Sequence, residues 1–315
     1  MGSQLLIADV PWLLYRAFFG LPKSIRGTDG QPVNALLGTV NAILSVYEGR
    51  LTAPDVCVVA CMGAEQAAYR VALYPPYHAH REPMPAELAS QWELAPALLE
   101  SLGWTVATSE ELEADDVMFS YARYAQEAAG GETQPLSGSA ARGTAGEGAG
   151  APAALLLTGD RDLYGAVDEH VSVVELLKGG EQGLIGPEQV RERYGVEPEQ
   201  VADFIALRGD PSDGLPGAPG IGAKTAAELL RAHGTLEALL AAAERADPAL
   251  RPRTAATLRE HARLLRTFAR IATLQRVDVE RPRGVATDFA GGAAKAGELG
   301  MRRLAQRLEG MIGAV

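Results

Sequence analysis

Short apolar runs that end at acidic residues recur along the chain. Leu5–Ala8 is followed at once by Asp9, and Ala153–Leu157 is followed three residues later by Asp160. Val56–Cys61 is apolar throughout, as expected for a strand buried on both faces of a parallel sheet. A stretch with helical spacing lies between Leu5–Ala8 and Val56–Cys61. This order predicts an α/β fold with a parallel-type central sheet and flanking helices.

Acidic residues cluster where these predicted strands end. The C-terminal ends of parallel strands lie at one edge of an open sheet, and ligands bind there. Eight acids are too many for one acid–base pair, whereas they suit two hard cations bound through oxygen. For each group, helix capping by solvated acids remains the simpler alternative. The candidate metal ligands are Asp9, Glu113, Asp115, Asp116, Asp160, Asp162, Asp210 and Asp213.

The stretch Ala206–Ala226 places its two aspartates before a glycine-rich turn. Glycines let backbone N–H groups approach an anion, and the positive end of the following helix faces the same way. The helix begins just before Lys224, which adds a full charge. The candidate nucleic-acid contacts in this stretch are Gly217, Gly220, Gly222, Lys224 and Thr225.

Several interpretations compete for this turn. A P-loop needs Lys directly after its second Gly and a strand before the first, but Ala223 intervenes and no strand precedes. A dinucleotide fingerprint also needs that strand, and Thr225 stands where its third Gly belongs. A surface turn with helix-capping aspartates stays open. The favoured interpretation is a helix-hairpin-helix, which holds a nucleic-acid backbone without reading bases.

Charge is unevenly distributed along the chain. The formal net charge of −11 argues against a nucleic-acid partner, but residues 221–276 hold ten Lys/Arg against five Asp/Glu, a local balance of +5. Helical spacing places four arginines of this region on one face, either as a solvated stripe or as a phosphate-binding stripe. They are Arg259, Arg263, Arg266 and Arg270.

Two further segments carry predictions of their own. Tyr69–Pro85 is rich in aromatic, Arg and His residues that suit an unpaired nucleic-acid strand, although a plain surface loop is the alternative. Its prolines argue against a regular helix. Residues 130–152 lack apolar periodicity and are expected to form a disordered insertion.

Composition and the N-terminal sequence bear on the compartment in which the protein works. No apolar run approaches the ~20 residues of a membrane span, and the N-terminal run lacks the features of a signal peptide. Cys57 and Cys61 lie too far apart in an extended segment to bridge, so reduced thiols in a cytoplasmic protein are expected.

Five motifs in a fixed order carry a resemblance. They are DVPWLLYRAFFG from Asp9, LYPPYHAHR from Leu73, ELEADDV from Glu111, TGDRDLY from Thr158 and LRGDPSDGLPGAPGIGAKTA from Leu207. The series resembles the structure-specific 5′ nucleases, above all the 5′–3′ exonuclease domain at the front of bacterial DNA polymerase I and its free-standing relatives. Those proteins share the fold of flap endonucleases.

The resemblance implies a division of the chain. Residues 1–180 would form a PIN-like nuclease core, with an arch at about 70–100 that admits a 5′ single strand. Residues 181–285 would form a helical DNA-binding lobe with the helix-hairpin-helix. Residues 286–315 would form a C-terminal tail.

The resemblance also implies an activity. It is two-metal hydrolysis of DNA near a 5′ end, nick or flap, with two Mg²⁺ ions, Mn²⁺ as an alternative, and K⁺ at the hairpin. One ion would lie with Asp9, Glu113 and Asp115, and the other with the remaining acids. His78 and Arg81 would be catalytic, and Tyr77 and Arg70 would contact DNA. A polymerase or ligase acting at the same nick would be a partner.

Two departures from the family pattern leave a second hypothesis open. Gly63 stands where the family has a metal-binding Asp, and His78 stands where it has Lys. Glu65 or a water is a candidate to fill the first gap. If these changes have removed catalysis, the chain is a protein that binds flaps or nicks without cutting them.

Overall fold

The computed structural model describes residues 4–51, 56–130 and 152–312. Of the predicted disordered insertion, residues 131–151 lie outside this description. The strands are β1 Gln4–Asp9, β2 Val56–Cys61, β3 Thr105–Ala107, β4 Ala154–Leu157, β5 Val171–Leu176 and β6 Gln182–Ile185. The helices are α1 Val10–Gly20, α2 Asn34–Arg50, α3 Ala68–Leu73, α4 Ala86–Ser101, α5 Ala114–Gly130, α6 Pro187–Tyr194, α7 Val201–Arg208, α8 Ala223–His233, α9 Leu236–Glu244, α10 Pro252–Ala272, α11 Phe289–Glu298 and α12 Arg302–Met311.

The six strands form one sheet in the order β3-β2-β1-β4-β5-β6. Neighbouring strands are parallel up to β5, which confirms the predicted fold class, but β6 runs antiparallel to β5. The sequence analysis missed β6, because it is four residues long and contains Gly183. Asp9 lies opposite Cys61 in the register, and Ala8 lies opposite Leu157. The chain therefore leaves β1 and β4 at the same edge.

Each face of the sheet has its own apolar core. Leu5 and Ile7 of β1 point into a core shared with α5 and α7–α10. Leu6 and Ala8 point into the other core, shared with α1, α2, α4, α11 and α12. The helical region after β6 thus packs on one face of the sheet. Residues 286–315, expected to form a tail, contribute two helices to the opposite face.

One local expectation was wrong. The prolines of the Tyr69–Pro85 segment argue against a regular helix, but α3 forms and ends at Leu73, before Pro75. Asp115 and Asp116 occupy the first turn of α5. In the described ranges, no helix combines the length and apolar character needed to cross a membrane.

Candidate active site

Asp9 ends β1 and begins the site. Its carboxylate accepts hydrogen bonds from the Trp12 backbone N–H at 3.0 Å and from the Thr158 hydroxyl at 2.7 Å. Only 6% of Asp9 is exposed, and burial raises its pKa to about 6 although both hydrogen bonds act to lower it. Asp9 is therefore held in place next to the end of β4.

Thr158 is a site residue that is not among the candidates named from the sequence. Its fully buried side chain donates to Asp9 and accepts the Asp160 N–H at 2.9 Å, so it joins the ends of β1 and β4. The next residue is Gly159, and no side chain fits there, because a Cβ would lie 2.3 Å from the Trp12 ring. A hydroxyl directly after a buried strand and before Asp was the available signal.

Asp160 and Asp162 follow β4 and repel their acidic neighbours. These acids share one space with Asp9 and Asp115, which we call the cleft. Loss of hydration there, followed by repulsion from Asp115, raises the pKa of Asp160 to about 8, although its side chain reaches the surface. Burial, then Asp160, raises the pKa of Asp162. Among the described residues, neither of them forms a salt bridge, and nor does Asp9. We call these three the strand-end carboxylates.

The acids around the start of α5 have a different environment. Glu113 accepts from the Ala67 N–H at 2.7 Å and the Tyr77 hydroxyl at 2.9 Å, and it pairs with Arg70 at 2.8 Å. The same guanidinium lies 2.9 Å from Asp116 and 3.7 Å from Asp115. We call Glu113, Asp115 and Asp116 the α5 carboxylates. One protein cation thus serves all three.

Asp116 does not fit its expected role as a metal ligand. It is fully buried and accepts from Arg70 and from the Gln275 N–H at 2.7 Å. Burial and then repulsion from Asp115 raise its pKa to about 7. Asp116 therefore fastens the segment after α10 to α5. Asp115, in contrast, raises the pKa of both Asp9 and Asp160, so it faces the strand-end carboxylates.

Arg70 and Tyr77 are placed differently from the DNA contacts that the resemblance implied. They are 2% and 4% exposed. The Arg70 Nε donates to the Ile271 carbonyl at 3.1 Å, while its other nitrogens face the α5 carboxylates. The Tyr77 hydroxyl is used by Glu113. Both side chains are covered by protein in this structure, and their contact with DNA stays a prediction.

Asp210 and Asp213 reach the cleft from the loop after α7. Asp210 accepts from the Ser212 N–H at 2.8 Å and lies 3.3 Å from the Arg208 guanidinium. Both aspartates raise the pKa of Asp162, and Asp213 also raises that of Asp160. The loop therefore brings its acids near the strand-end carboxylates, as its sequence position after a helix had suggested.

His78 and Arg81, the expected catalytic residues, both contact Asp213. The His78 Nε2 lies 3.0 Å from an Asp213 carboxylate oxygen, and the Arg81 guanidinium lies 3.3 Å from the same atom. His78 is 2% exposed and stacks on Tyr77 with ring centroids 3.8 Å apart. Arg81 is 48% exposed. Arg81 is open to a substrate, whereas the His78 side chain is covered by protein.

Backbone atoms occupy the space beside Gly63, where the family has a metal-binding Asp. A Cβ there would lie 2.6 Å from the Leu112 carbonyl oxygen and equally close to backbone atoms of Glu113 and Ala114. The Ala64 N–H also donates to Leu112 at 2.9 Å. Glu65 is exposed and contributes to raising the Tyr15 pKa, so it lies at Tyr15. This position has no room for the missing carboxylate.

The glycine-rich turn combines close packing with an open helix end. Gly217 has φ 68°, and a Cβ there would lie 2.3 Å from the Gly209 nitrogen. Gly220 has φ 79° and is exposed. Gly222 is the N-cap of α8, and no side chain caps that turn. With Lys224 exposed beside it, the end of α8 is suited to an anion.

The donor set fits divalent cations by its chemistry. Within the described residues, no three Asp, Glu, His or Cys side chains already surround one point as metal ligands. The strand-end carboxylates nevertheless offer only oxygen, repel one another and lack a protein cation, which is the condition that a hard cation relieves. Hydrolysis of a phosphate ester is chemistry that such a site supports.

Comparisons with known proteins agree with this geometry. Residues 4–195 match the family model "5′–3′ exonuclease, N-terminal resolvase-like domain", and residues 196–287 match "5′–3′ exonuclease, C-terminal SAM fold". A 5′–3′ exonuclease of Streptomyces coelicolor is 37% identical over 261 residues, covering 78% of this chain and 77% of that protein. Thermostable DNA polymerase I of Thermus thermophilus is 35% identical over 291 residues, covering 92% of this chain and 31% of the polymerase.

A similar fold occurs among solved structures. The bacteriophage T5 flap endonuclease, in a pseudo-enzyme–product complex with DNA and metal ions, superposes with a TM-score of 0.61. It is 17% identical, and the match covers 98% of this chain and 99% of that one. At this identity the likeness concerns the fold.

Proposed function

Because the chain belongs to the 5′–3′ exonuclease family, we propose that it is a metal-dependent nuclease that hydrolyses DNA phosphodiester bonds at a 5′ end or flap. The observation that carries the proposal is the set of strand-end carboxylates, whose pKa values are raised and with which no cation of the described residues pairs. Such a charge arrangement costs stability in the metal-free protein and is useful when cations bind.

The proposed ligands are the acids that face the cleft. Asp9 and Asp115 would hold one Mg²⁺ ion, and Asp160, Asp162 and the loop aspartates would hold a second, with Mn²⁺ as an alternative. Such ions lower the pKa of a bound water and stabilise charge on the leaving oxygen. Thr158 keeps Asp9 oriented, and Arg70 keeps the α5 carboxylates in place. Arg81 is placed to pair with a substrate phosphate at the cleft.

DNA would be held outside the acidic cleft. The start of α8, with Gly222, Lys224 and Thr225, would bind the phosphate backbone of the duplex through N–H groups and charge. We also propose that a monovalent cation such as K⁺ binds at the hairpin and that the protein is cytoplasmic. A polymerase or ligase would act on the cleaved product.

A second candidate function is DNA binding without cleavage. Gly63 carries no carboxylate and has no space for one, and His78 is buried against Asp213. These two positions would favour a protein that recognises flaps or nicks and cuts them slowly or not at all.

The test is cleavage of a 5′-labelled flap duplex in Mg²⁺ or Mn²⁺. We expect the wild type to cut near the junction and Asp160→Asn to be slower by about 100-fold or more, since an ion ligand supports several kcal/mol of transition-state stabilisation. Asp278→Asn, an exposed acid outside the cleft, is the matched control. If the wild type binds the flap but cuts no faster than Asp160→Asn in either metal, the binding function replaces the nuclease.

A further inference from the structure

A basic groove lies between α3 and α10, outside the carboxylate cleft. It has a volume of about 510 Å³ and is lined by Ala72, Leu73, Arg263, Arg266, Thr267 and Arg270. We call it the arginine groove. Three of the four arginines that helical spacing placed on one face of α10 contribute to it.

The arginines of the groove differ in how far they are neutralised. Arg266 makes a two-pronged pair with Glu237, with N–O distances of 2.7 and 2.8 Å. Arg263 and Arg270 are exposed, and in the described part of the chain neither forms a salt bridge. The groove therefore carries two uncompensated guanidinium groups.

The groove lies directly behind the cleft. Ala72 and Arg70 are about 200° apart around a helix with 3.6 residues per turn, so they occupy opposite sides of α3. Arg70 faces the α5 carboxylates, whereas Ala72 lines the groove. From Leu73 the chain continues to Arg81, which returns to the cleft at Asp213. One helix, about 10 Å thick with its side chains, separates the two sites.

We propose that the arginine groove binds the phosphodiester backbone of the single 5′ strand of the substrate. This inference rests on the proposed function. A cleft lined by acids repels phosphates, so a strand that approaches it gains from a cationic surface nearby. Guanidinium groups pair with phosphate oxygens in a fork, and the groove lining offers no aromatic face on which a base would stack. Recognition there is independent of base sequence.

The occupant follows from the position of the groove. The exposed end of α8 offers backbone N–H groups to a duplex, while the groove lies behind α3, beside the segment that leads to Arg81. A single strand leaving the cleft past this segment meets α3 and then the groove. Its phosphates are the anions within reach of Arg263 and Arg270.

The test measures binding without cleavage. Fluorescence anisotropy in EDTA compares a fluorescein-labelled 5′-flap duplex with the same duplex lacking the flap, over a range of salt concentrations. The test variant is Arg263→Gln with Arg270→Gln, and the matched control is Arg302→Gln with Arg303→Gln, two exposed arginines of α12 that do not line the groove. A variant with both arginines changed to Lys keeps the charge and serves as the folding control.

We expect the double Gln variant to bind the flap about ten-fold more weakly and to reduce the slope of log K against log salt by about 1.4, or 0.7 per single-strand phosphate contact. Binding of the flapless duplex, and all binding by the Arg302→Gln with Arg303→Gln control, should be unchanged. An unchanged slope on the flap would overturn the proposal, as would an equal loss on both DNAs, which would assign the groove to the duplex. Because no divalent ion is present, a failure of nuclease activity leaves this readout intact.

Discussion

Two sets of acids share one cleft and differ in what balances their charge. The α5 carboxylates surround the Arg70 guanidinium, and Glu113 and Asp116 also accept backbone N–H groups. The strand-end carboxylates receive hydrogen bonds from Thr158 and from backbone, but no cation of the described chain pairs with them. Glu113 and Asp116 stabilise the fold, whereas the strand-end carboxylates, with Asp115 facing them, repel one another and are suited to cations. The residue types alone do not distinguish the two sets.

Removal of Arg70 should have the largest effect, because it takes away the cation that distinguishes the α5 carboxylates from the strand-end carboxylates. Arg70→Met would leave three carboxylates around a buried position without their cation, and we expect a loss of about 3 to 5 kcal/mol in the free energy of unfolding. Urea unfolding measures it. Arg81→Met is the control, because its pair with Asp213 is exposed and should cost under about 1 kcal/mol. Equal, small losses for the two variants would show that Arg70 does not stabilise the α5 carboxylates.

A carboxylate at Gly63 would test whether the cleft can regain an acid. We expect Gly63→Asp and Gly63→Ala to destabilise the protein alike, by about 1 to 3 kcal/mol, since the Cβ itself meets backbone at 2.6 Å. Urea unfolding of both variants checks this. Gly20→Ala, where a Cβ has no neighbour within 4 Å, is the control. A Gly63→Asp variant that keeps full stability and cuts DNA faster than the wild type would contradict the expectation.

The sequence was most informative where local pattern decides position. Val56–Cys61 forms a strand with the predicted bounds, because a continuous apolar run needs burial on both faces. Asp9 and Asp160 reach one edge because parallel strands end there. Both facts follow from periodicity and chain order.

Pairing across long sequence separations could not be read in this way. Arg70 is positioned by the Ile271 carbonyl, 201 residues later, and Asp116 by Gln275, 159 residues later. Nothing in the local pattern of Glu113, Asp115 and Asp116 shows that one guanidinium is shared among them. The exclusion of α3 compounded this, since Arg70 lies on that helix.

The strand-end carboxylates predict a pH dependence of stability. Asp160 has a pKa of about 8 in the folded protein, well above its ordinary value. The folded state thus holds a proton that the unfolded state has released, and the free energy of unfolding falls as pH rises towards 8. We expect Asp160→Asn to reduce this fall in metal-free protein, as measured by thermal unfolding in EDTA at pH 5.5 and 8.5.

Divalent ions should act in the opposite direction. Added Mg²⁺ or Mn²⁺ should raise the melting temperature of the wild type more at high pH than at low pH, because protons compete with the ion for the carboxylates. Asp160→Asn should lose much of this gain, while Asp278→Asn should retain it. A gain that is the same at both pH values in all three proteins would mean that the ions bind elsewhere.

The smallest expected effect concerns the arginines of the arginine groove, which also differ in whether an opposite charge neutralises them. Arg266 is neutralised by Glu237, as the α5 carboxylates are by Arg70. Arg263 and Arg270 resemble the strand-end carboxylates, since none of them forms a salt bridge within the described residues. The Arg266–Glu237 pair is exposed on both sides, so Glu237→Gln should cost under about 1 kcal/mol in urea unfolding. It should also free a third guanidinium for the arginine groove and steepen the salt dependence of flap binding by about 0.7. Glu260→Gln, an exposed acid on α10 outside the groove lining, separates this effect from a general gain in positive charge. If both variants steepen the slope equally, net charge rather than the release of Arg266 governs binding there.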